Sequence, residues 1–321
     1  MNNPLPGVPL IESPLFPSLA PSLGLTAEEW RIATDLHRDG FAVLDFPDDQ
    51  IGARIERIRR NLAPRFGVDL DNPEADKTTG ERRIQDAWKF DDDVRAIAAN
   101  DGILDLLGKL YGRRSFPFQT LNFPVGTQQD AHADTAHFSS IPERFMCGVW
   151  LAMEDISAQA GPLFYLAGSH RWPIVNNTMV GRRGFGNALN SAQDPYGPAW
   201  AALQNAHGAE AGTFLARKGQ ALIWCANLLH GGSLQTDPRL TRWSQVTHYY
   251  FDDCIYYTPA FSDEPLGRLD LRNLIAINDE RARPNMYLGE PVERHAPVSN
   301  TGHAEKPRGG IARWLAKRLS R

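Results

Sequence analysis

From Phe116 onward the chain breaks into short apolar runs, FQTLNF, FMCGVWLAM, GPLFYLA, GTFLA, QALIWCA and RWSQVTHYYF, divided by Gly, Pro, Asp and Asn. Runs of this length, rich in aromatic and β-branched residues and bounded by turn formers, read as strands. Their regular interruption points to a closed or double-sheet antiparallel architecture such as a jelly roll, rather than a parallel sheet joined by crossover helices. The expected fold class is mainly β with flanking helices.

The helices precede this half. Thr26 and Glu29 form a capping box ahead of Trp30, Ile32 and Leu36, which predicts a helix running to Arg38 with Gly40 as its stop. FAVLDF follows as a strand. Helical periodicity returns around Ile51 to Leu62 and Val94 to Leu110, separated by a polar stretch near Asp76 to Arg82 that reads as a mobile loop. Residues 1–25, interrupted by prolines, read as an extended arm, and 26–284 as the folded domain. Residues 285–321 read as a polar tail ending in GIARWLAKRLSR, a short basic amphipathic helix with Ile311, Trp314, Leu315 and Leu319 on one side. An insertion at about 173–212, rich in Gly and Asn, has the length of a lid or binding loop, and substrate recognition is expected there.

A net charge of -4 offers no basic field for a phosphate backbone, which argues against nucleic acid as the main partner. No run approaches the ~20 apolar residues of a membrane span. The proline-broken N-terminus resembles neither signal peptide nor anchor, so the cytoplasm is the expected location. Cys147, Cys225 and Cys254 are an odd, widely spaced set and are expected as free thiols. The oligomeric state is not legible.

The chemistry gathers at a few residues. In QQDAHADTAHF, His132 and Asp134 stand two apart, and on an extended backbone residues i and i+2 face one side, so both can reach one ion. A third ligand must come from elsewhere. His230 follows the strand QALIWCANLL at a Gly-Gly corner that permits close backbone approach. Two imidazoles and a carboxylate with open positions form the facial triad of non-haem iron(II) oxygenases. Three open positions on an octahedral iron suit a bidentate 2-oxo acid and O2. The far carboxylate of such an acid needs a cation, and a planar guanidinium serves better than an ammonium. Arg242, opening the strand after the Asp237-Pro238 turn, is the candidate; Arg239, within the turn, is the alternative.

DGFAVLDF, the HAD pair, VWLAMEDISAQAGPLFYLAGSH and the late HGGS with a downstream arginine together resemble the phytanoyl-CoA dioxygenase family of iron(II)/2-oxoglutarate oxygenases, over roughly Gly40 to Tyr250. The resemblance implies a double-stranded β-helix (a cupin-like jelly roll), a small-molecule or carrier-bound substrate, and hydroxylation with release of succinate and CO2. It also implies contacts to 2-oxoglutarate from Ser233 and Asn122. In this family a serine commonly lies two residues and an arginine eleven residues after the last histidine. Here Ser233 and Arg242 lie three and twelve after His230, as one inserted glycine would produce, which favours Arg242 over Arg239. Family halogenases replace the carboxylate ligand with a small residue; Asp134 is retained, which favours hydroxylation.

Other candidates have plainer readings. His137, His170 and His248 read as core or turn residues, with His137 the one within reach of a substrate; His37, His207, His295 and His303 read as surface residues. Arg182 and Arg183 read as a solvated face, with an anion clamp as the sharper possibility. Trp150, Trp224 and Cys225 read as core, and Glu154 with Asp155 as structural carboxylates at a strand end. The rival functions are another metal-dependent enzyme on a cupin-like barrel and a non-catalytic binding protein.

Overall fold

The computed structural model describes residues 3–184 and 195–292. Residues 3–25, expected as an extended arm, instead wind into two 3-10 turns, Leu10–Glu12 and Ala20–Leu23, around a short helix α1 (Phe16–Leu19). Prolines in the first turns are tolerated because a helix start leaves those N–H groups unpaired anyway. Ile11 and Phe16 are buried in the main core, and that burial docks the segment.

Helix α2 (Ala27–Asp39) carries both halves of the predicted capping box. Gly40 ends it at φ 81°, a left-handed conformation, and a Cβ there would lie 2.4 Å from His170 Nδ1. Strand β1 (Phe41–Asp45) and helix α3 (Ile51–Leu62) follow as read. The stretch Asp76 to Arg82, expected as a mobile loop, is tethered. Lys77 is buried, its N–H donates to Pro238 O at 2.8 Å, and its ammonium reaches the Asp69 and Asn72 carbonyls. After strand β2 (Ile84–Gln85), the single pattern expected from Val94 to Leu110 divides into α4 (Asp92–Ala98) and α5 (Asp101–Tyr111). Asn100 causes the break: its extended backbone and its side chain, accepting from Ile103 N–H, start a new helix.

The β half comprises β3 (Ser115–Phe123), β4 (Ser139–Ile141), β5 (Met146–Ala152), β6 (Leu163–Tyr165), β7 (Gly212–Phe214), β8 (Gln220–Cys225), β9 (His230–Gly232), β10 (Ser244–Phe251) and β11 (Ile255–Tyr257). Six strands form a wholly antiparallel sheet in the order β1-β8-β5-β10-β3-β2. A three-stranded sheet, β7-β6-β9, and the pair β4-β11 complete the double-stranded β-helix.

Alternation along the strands divides the interior. Val149 and Leu151 of β5 join the cluster containing Ile32, Leu36, Ile55 and Leu107, so the helices cover one face of the large sheet. Trp150 and Ala152 face the other way, into a second cluster with Leu163 and Phe214 of the small sheet. Burial on both faces explains why MCGVWLA reads as a continuous apolar run. The three thiols are free and buried.

In the insertion, helix α6 (Gly197–His207) packs Trp200 inward, while Asn177 donates to Pro259 O at 2.9 Å and accepts from Tyr196 Oη at 2.7 Å. Arg182 also donates to a backbone carbonyl, that of Ala260. His37 is not a free surface residue: it stacks on Phe16 and hydrogen-bonds Ile11 O at 2.7 Å. The basic helix expected at 310–321, His295 and His303 lie outside the described residues. No helix among the described residues is long and apolar enough to cross a membrane.

Candidate metal centre and its cavity

His132 and His230 face each other as an antiparallel bridge, each N–H donating to the other's carbonyl, at 2.9 and 3.0 Å. The two glycines after His230 make this approach possible. A Cβ on Gly231 would lie 2.5 Å from Gln129 O, and one on Gly232 2.7 Å from Thr127 Oγ1. The expected Gly-Gly corner is thus strand β9 itself. Ala133 is extended, at φ -108° and ψ 138°, which puts His132 and Asp134 on the same side. One ligand atom from each of His132, Asp134 and His230 lies within 4.8 Å of the others, and all three residues are buried; they could hold a metal ion.

Neighbours fix each ligand's state. His132 Nδ1 lies 2.9 Å from Asp130 O and His230 Nδ1 lies 3.0 Å from Leu228 O. A carbonyl only accepts, so both Nδ1 atoms carry the proton and both Nε2 lone pairs are left for a metal. Burial, reinforced by the His230 ring, depresses His132 to about 4. Burial pushes the Asp134 carboxyl up, but the His230, His248 and His132 rings and a hydrogen bond from Trp224 outweigh it, holding the group below its usual range. At neutral pH the centre presents a carboxylate and a neutral His132 imidazole, which suits a divalent cation.

The triad opens into a cavity of about 470 Å³ between the two sheets. Arg242, only 2 % exposed, lines it. Its Nη1 donates to Gly161 O at 2.9 Å, its guanidinium sits 5.7 Å from the Trp150 ring centroid, and Nε is buried without a partner. Among the described residues no carboxylate lies within ion-pair range of it, and burial depresses it to about 10. A buried, unpaired guanidinium is costly unless an anion arrives to meet it. Arg239 is half of an exposed pair with Asp237 and does not reach the cavity.

The other two expected 2-oxoglutarate contacts are not in the cavity wall. Asn122 faces the helices, donating to Gln245 Oε1 at 3.2 Å, because alternation along β3 turns Gln119, Leu121 and Phe123 inward. Ser233 is half-buried, outside the lining, with its N–H donating to Pro162 O. Polar residues that do line the wall, Gln119, Thr127, Gln129 and His248, were not singled out from sequence as contacts. For Gln119 the signal was present in the alternation of FQTLNF. Trp224 is more than core: its indole N–H donates to Asp134 Oδ2 at 2.8 Å. His248 is likewise more than core, with Nε2 3.8 Å from the same oxygen and Nδ1 on Gln119 Oε1. Glu154 is structural, accepting from Trp243 N–H and Thr241 Oγ1. No described residue of the 173–212 insertion lines the cavity.

Residues 36–238 match the sequence model of a family described as phytanoyl-CoA dioxygenase. No curated protein matches significantly. Solved structures share the fold at low identity. EctD from S. alaskensis with bound Fe has a TM-score of 0.55 at 22% identity, over 84% of this chain and 89% of that one. The epimerase SnoN, in complex with Fe3+, alpha ketoglutarate and nogalamycin RO, has a TM-score of 0.54 at 18% identity, over 80% and 98%. The carbocyclase SnoK from nogalamycin biosynthesis has a TM-score of 0.54 at 16% identity, over 85% and 95%.

Proposed function

The chain belongs to the phytanoyl-CoA dioxygenase family, and on that premise we propose that it hydroxylates an aliphatic carbon of a small-molecule or carrier-bound metabolite. Iron and 2-oxoglutarate are its cofactor and co-substrate. His132, Asp134 and His230 hold the metal, and Arg242 binds the distal carboxylate of 2-oxoglutarate. The observation that carries this reading is the buried Arg242, without a carboxylate partner among the described residues, in the same cavity as the triad. A zinc or manganese enzyme on a similar barrel rarely needs an arginine placed for a distal carboxylate, and a silent binding protein would bind the anion without turning it over.

Iron and 2-oxoglutarate, when bound, would activate O2, the oxidant: one oxygen atom would go into succinate as 2-oxoglutarate loses CO2, and the other into the substrate. The chain's own residues do the rest. Trp224 and the Asp130 and Leu228 carbonyls orient the three ligands. Leu121, Phe123, Leu163 and Val246 wall the cavity with apolar surface that excludes water. Retention of Asp134 favours hydroxylation over halogenation, while epimerase and carbocyclase activities on the same fold mark other outcomes open to it. The test is oxygen-dependent formation of succinate from 2-oxoglutarate by iron-loaded protein. Wild type is expected to form it and His132→Ala not; equal rates for both would overturn the assignment.

A further inference from the structure

We propose that the substrate carries an oxyanion, a carboxylate or a phosphate, bound by Arg272 at the end of the cavity opposite Arg242. The proposal rests on the oxygenase reading and names its substrate class.

Arg272 lines the cavity beside Thr258, Phe138 and His248. Its guanidinium lies 4.8 Å from the Phe138 ring centroid, Nη1 donates to Thr258 Oγ1 at 3.2 Å, and Nε is buried without a partner. Among the described residues no carboxylate lies within ion-pair range of it. The aromatic face and the hydroxyl fix the fork without neutralising it.

Arg272 and Arg242 do not serve the same anion. Arg242 precedes β10 and His248 lies six residues further along it, roughly 20 Å at the rise of an extended strand. Arg242 stands over Trp150 at one end, whereas Phe138, which carries Arg272, packs 5.0 Å from the His248 ring at the other. The triad sits toward the His248 end, with His248 Nε2 3.8 Å from Asp134 Oδ2.

Charge points the same way. Among the described residues, Arg83, Arg242 and Arg272 line the cavity against a single carboxylate, Asp134. A divalent iron and a 2-oxoglutarate dianion cancel each other, so a positive excess remains after both are bound. A cationic substrate would meet repulsion, and a neutral one would leave the Arg272 charge without a counter-charge. Arg83 is exposed at the mouth, which extends the positive field outward to steer an anion in.

The test uses protein loaded anaerobically with iron(II) and 2-oxoglutarate and titrated with hexanoate, hexyl phosphate and uncharged hexanamide. Binding is read by calorimetry and by change in the visible charge-transfer band. At least one anion is expected to bind about tenfold or more tightly than the amide, and the tighter of the two identifies the oxyanion. Arg272→Met is expected to abolish the preference; Arg272→Gln serves if the methionine variant does not fold. Equal binding of amide and anions by wild type, or a preference that survives loss of the guanidinium, overturns the proposal. Absence of the band before any probe is added counts instead against the oxygenase reading, while calorimetry still reads the anion preference.

Discussion

The indole N–H of Trp224 donates to Asp134 Oδ2 at 2.8 Å, joining the β8 strand directly to the carboxylate of the metal centre. Groups that orient a metal ligand typically contribute 10- to 100-fold in metal affinity. Trp224→Phe removes the donor while keeping an aromatic ring in the core. Iron(II) affinity, measured by anaerobic titration, is expected to fall about tenfold or more. Unchanged affinity would reduce Trp224 to a packing residue.

Gly148 holds Trp224 in that position. A Cβ on Gly148 would lie 2.0 Å from Trp224 Cζ2, so a methyl group there cannot coexist with the indole as placed. Gly148→Ala is expected to lose on the order of 1–3 kcal/mol from overpacking, read by denaturant unfolding. It should also weaken iron binding, because the displaced indole no longer reaches Asp134. A stability loss with full iron affinity would separate the two residues.

Arg242 costs the apoprotein stability. Burial depresses its pKa to about 10, so at neutral pH the native state holds a charge the unfolded chain carries more easily. Between the folded and unfolded pKa values the unfolded state binds more protons. The cost is therefore fully present below about 10 and relieved as pH rises above it, and its size is on the order of 3 kcal/mol. Arg242→Met is expected to melt no lower than wild type without 2-oxoglutarate. Added 2-oxoglutarate with iron(II) should raise the melting temperature of wild type but much less that of the variant.

The first residues of the described chain belong to the fold. Ile11 is fully buried in the main core beneath α2. Ile11→Ala is expected to cost about 2–5 kcal/mol by urea unfolding. A cost near zero would return the segment to the status of an appended arm.

Much of this was legible because the signals were local. The capping box at Thr26 and Glu29, the αL stop at Gly40 and the pairing of His132 with Asp134 each depend on neighbours within a few residues. The glycine pair after His230 also announced a close approach, since only a missing side chain lets Gln129 O come so near. What was missed depends on tertiary partners. Nothing near Trp224 in sequence says that its N–H meets a carboxylate ninety residues earlier. Asn122 was carried over from a resemblance when the alternation of its own strand turned it toward Gln245. The single helix expected from Val94 to Leu110 overlooked how strongly Asn100 caps.

Joint binding of iron and 2-oxoglutarate by the triad and Arg242 is read by anaerobic addition of iron(II) and 2-oxoglutarate to apoprotein. The readout is the weak visible charge-transfer band of a chelated 2-oxo acid. Wild type is expected to form it, His132→Ala to lack it, and Arg242→Met to need about 10- to 100-fold more 2-oxoglutarate, the loss of a charge-assisted contact worth about 1.5–3 kcal/mol. Iron binding without a band in wild type, or a band indifferent to both substitutions, would mean that the triad and Arg242 do not bind iron and 2-oxoglutarate together.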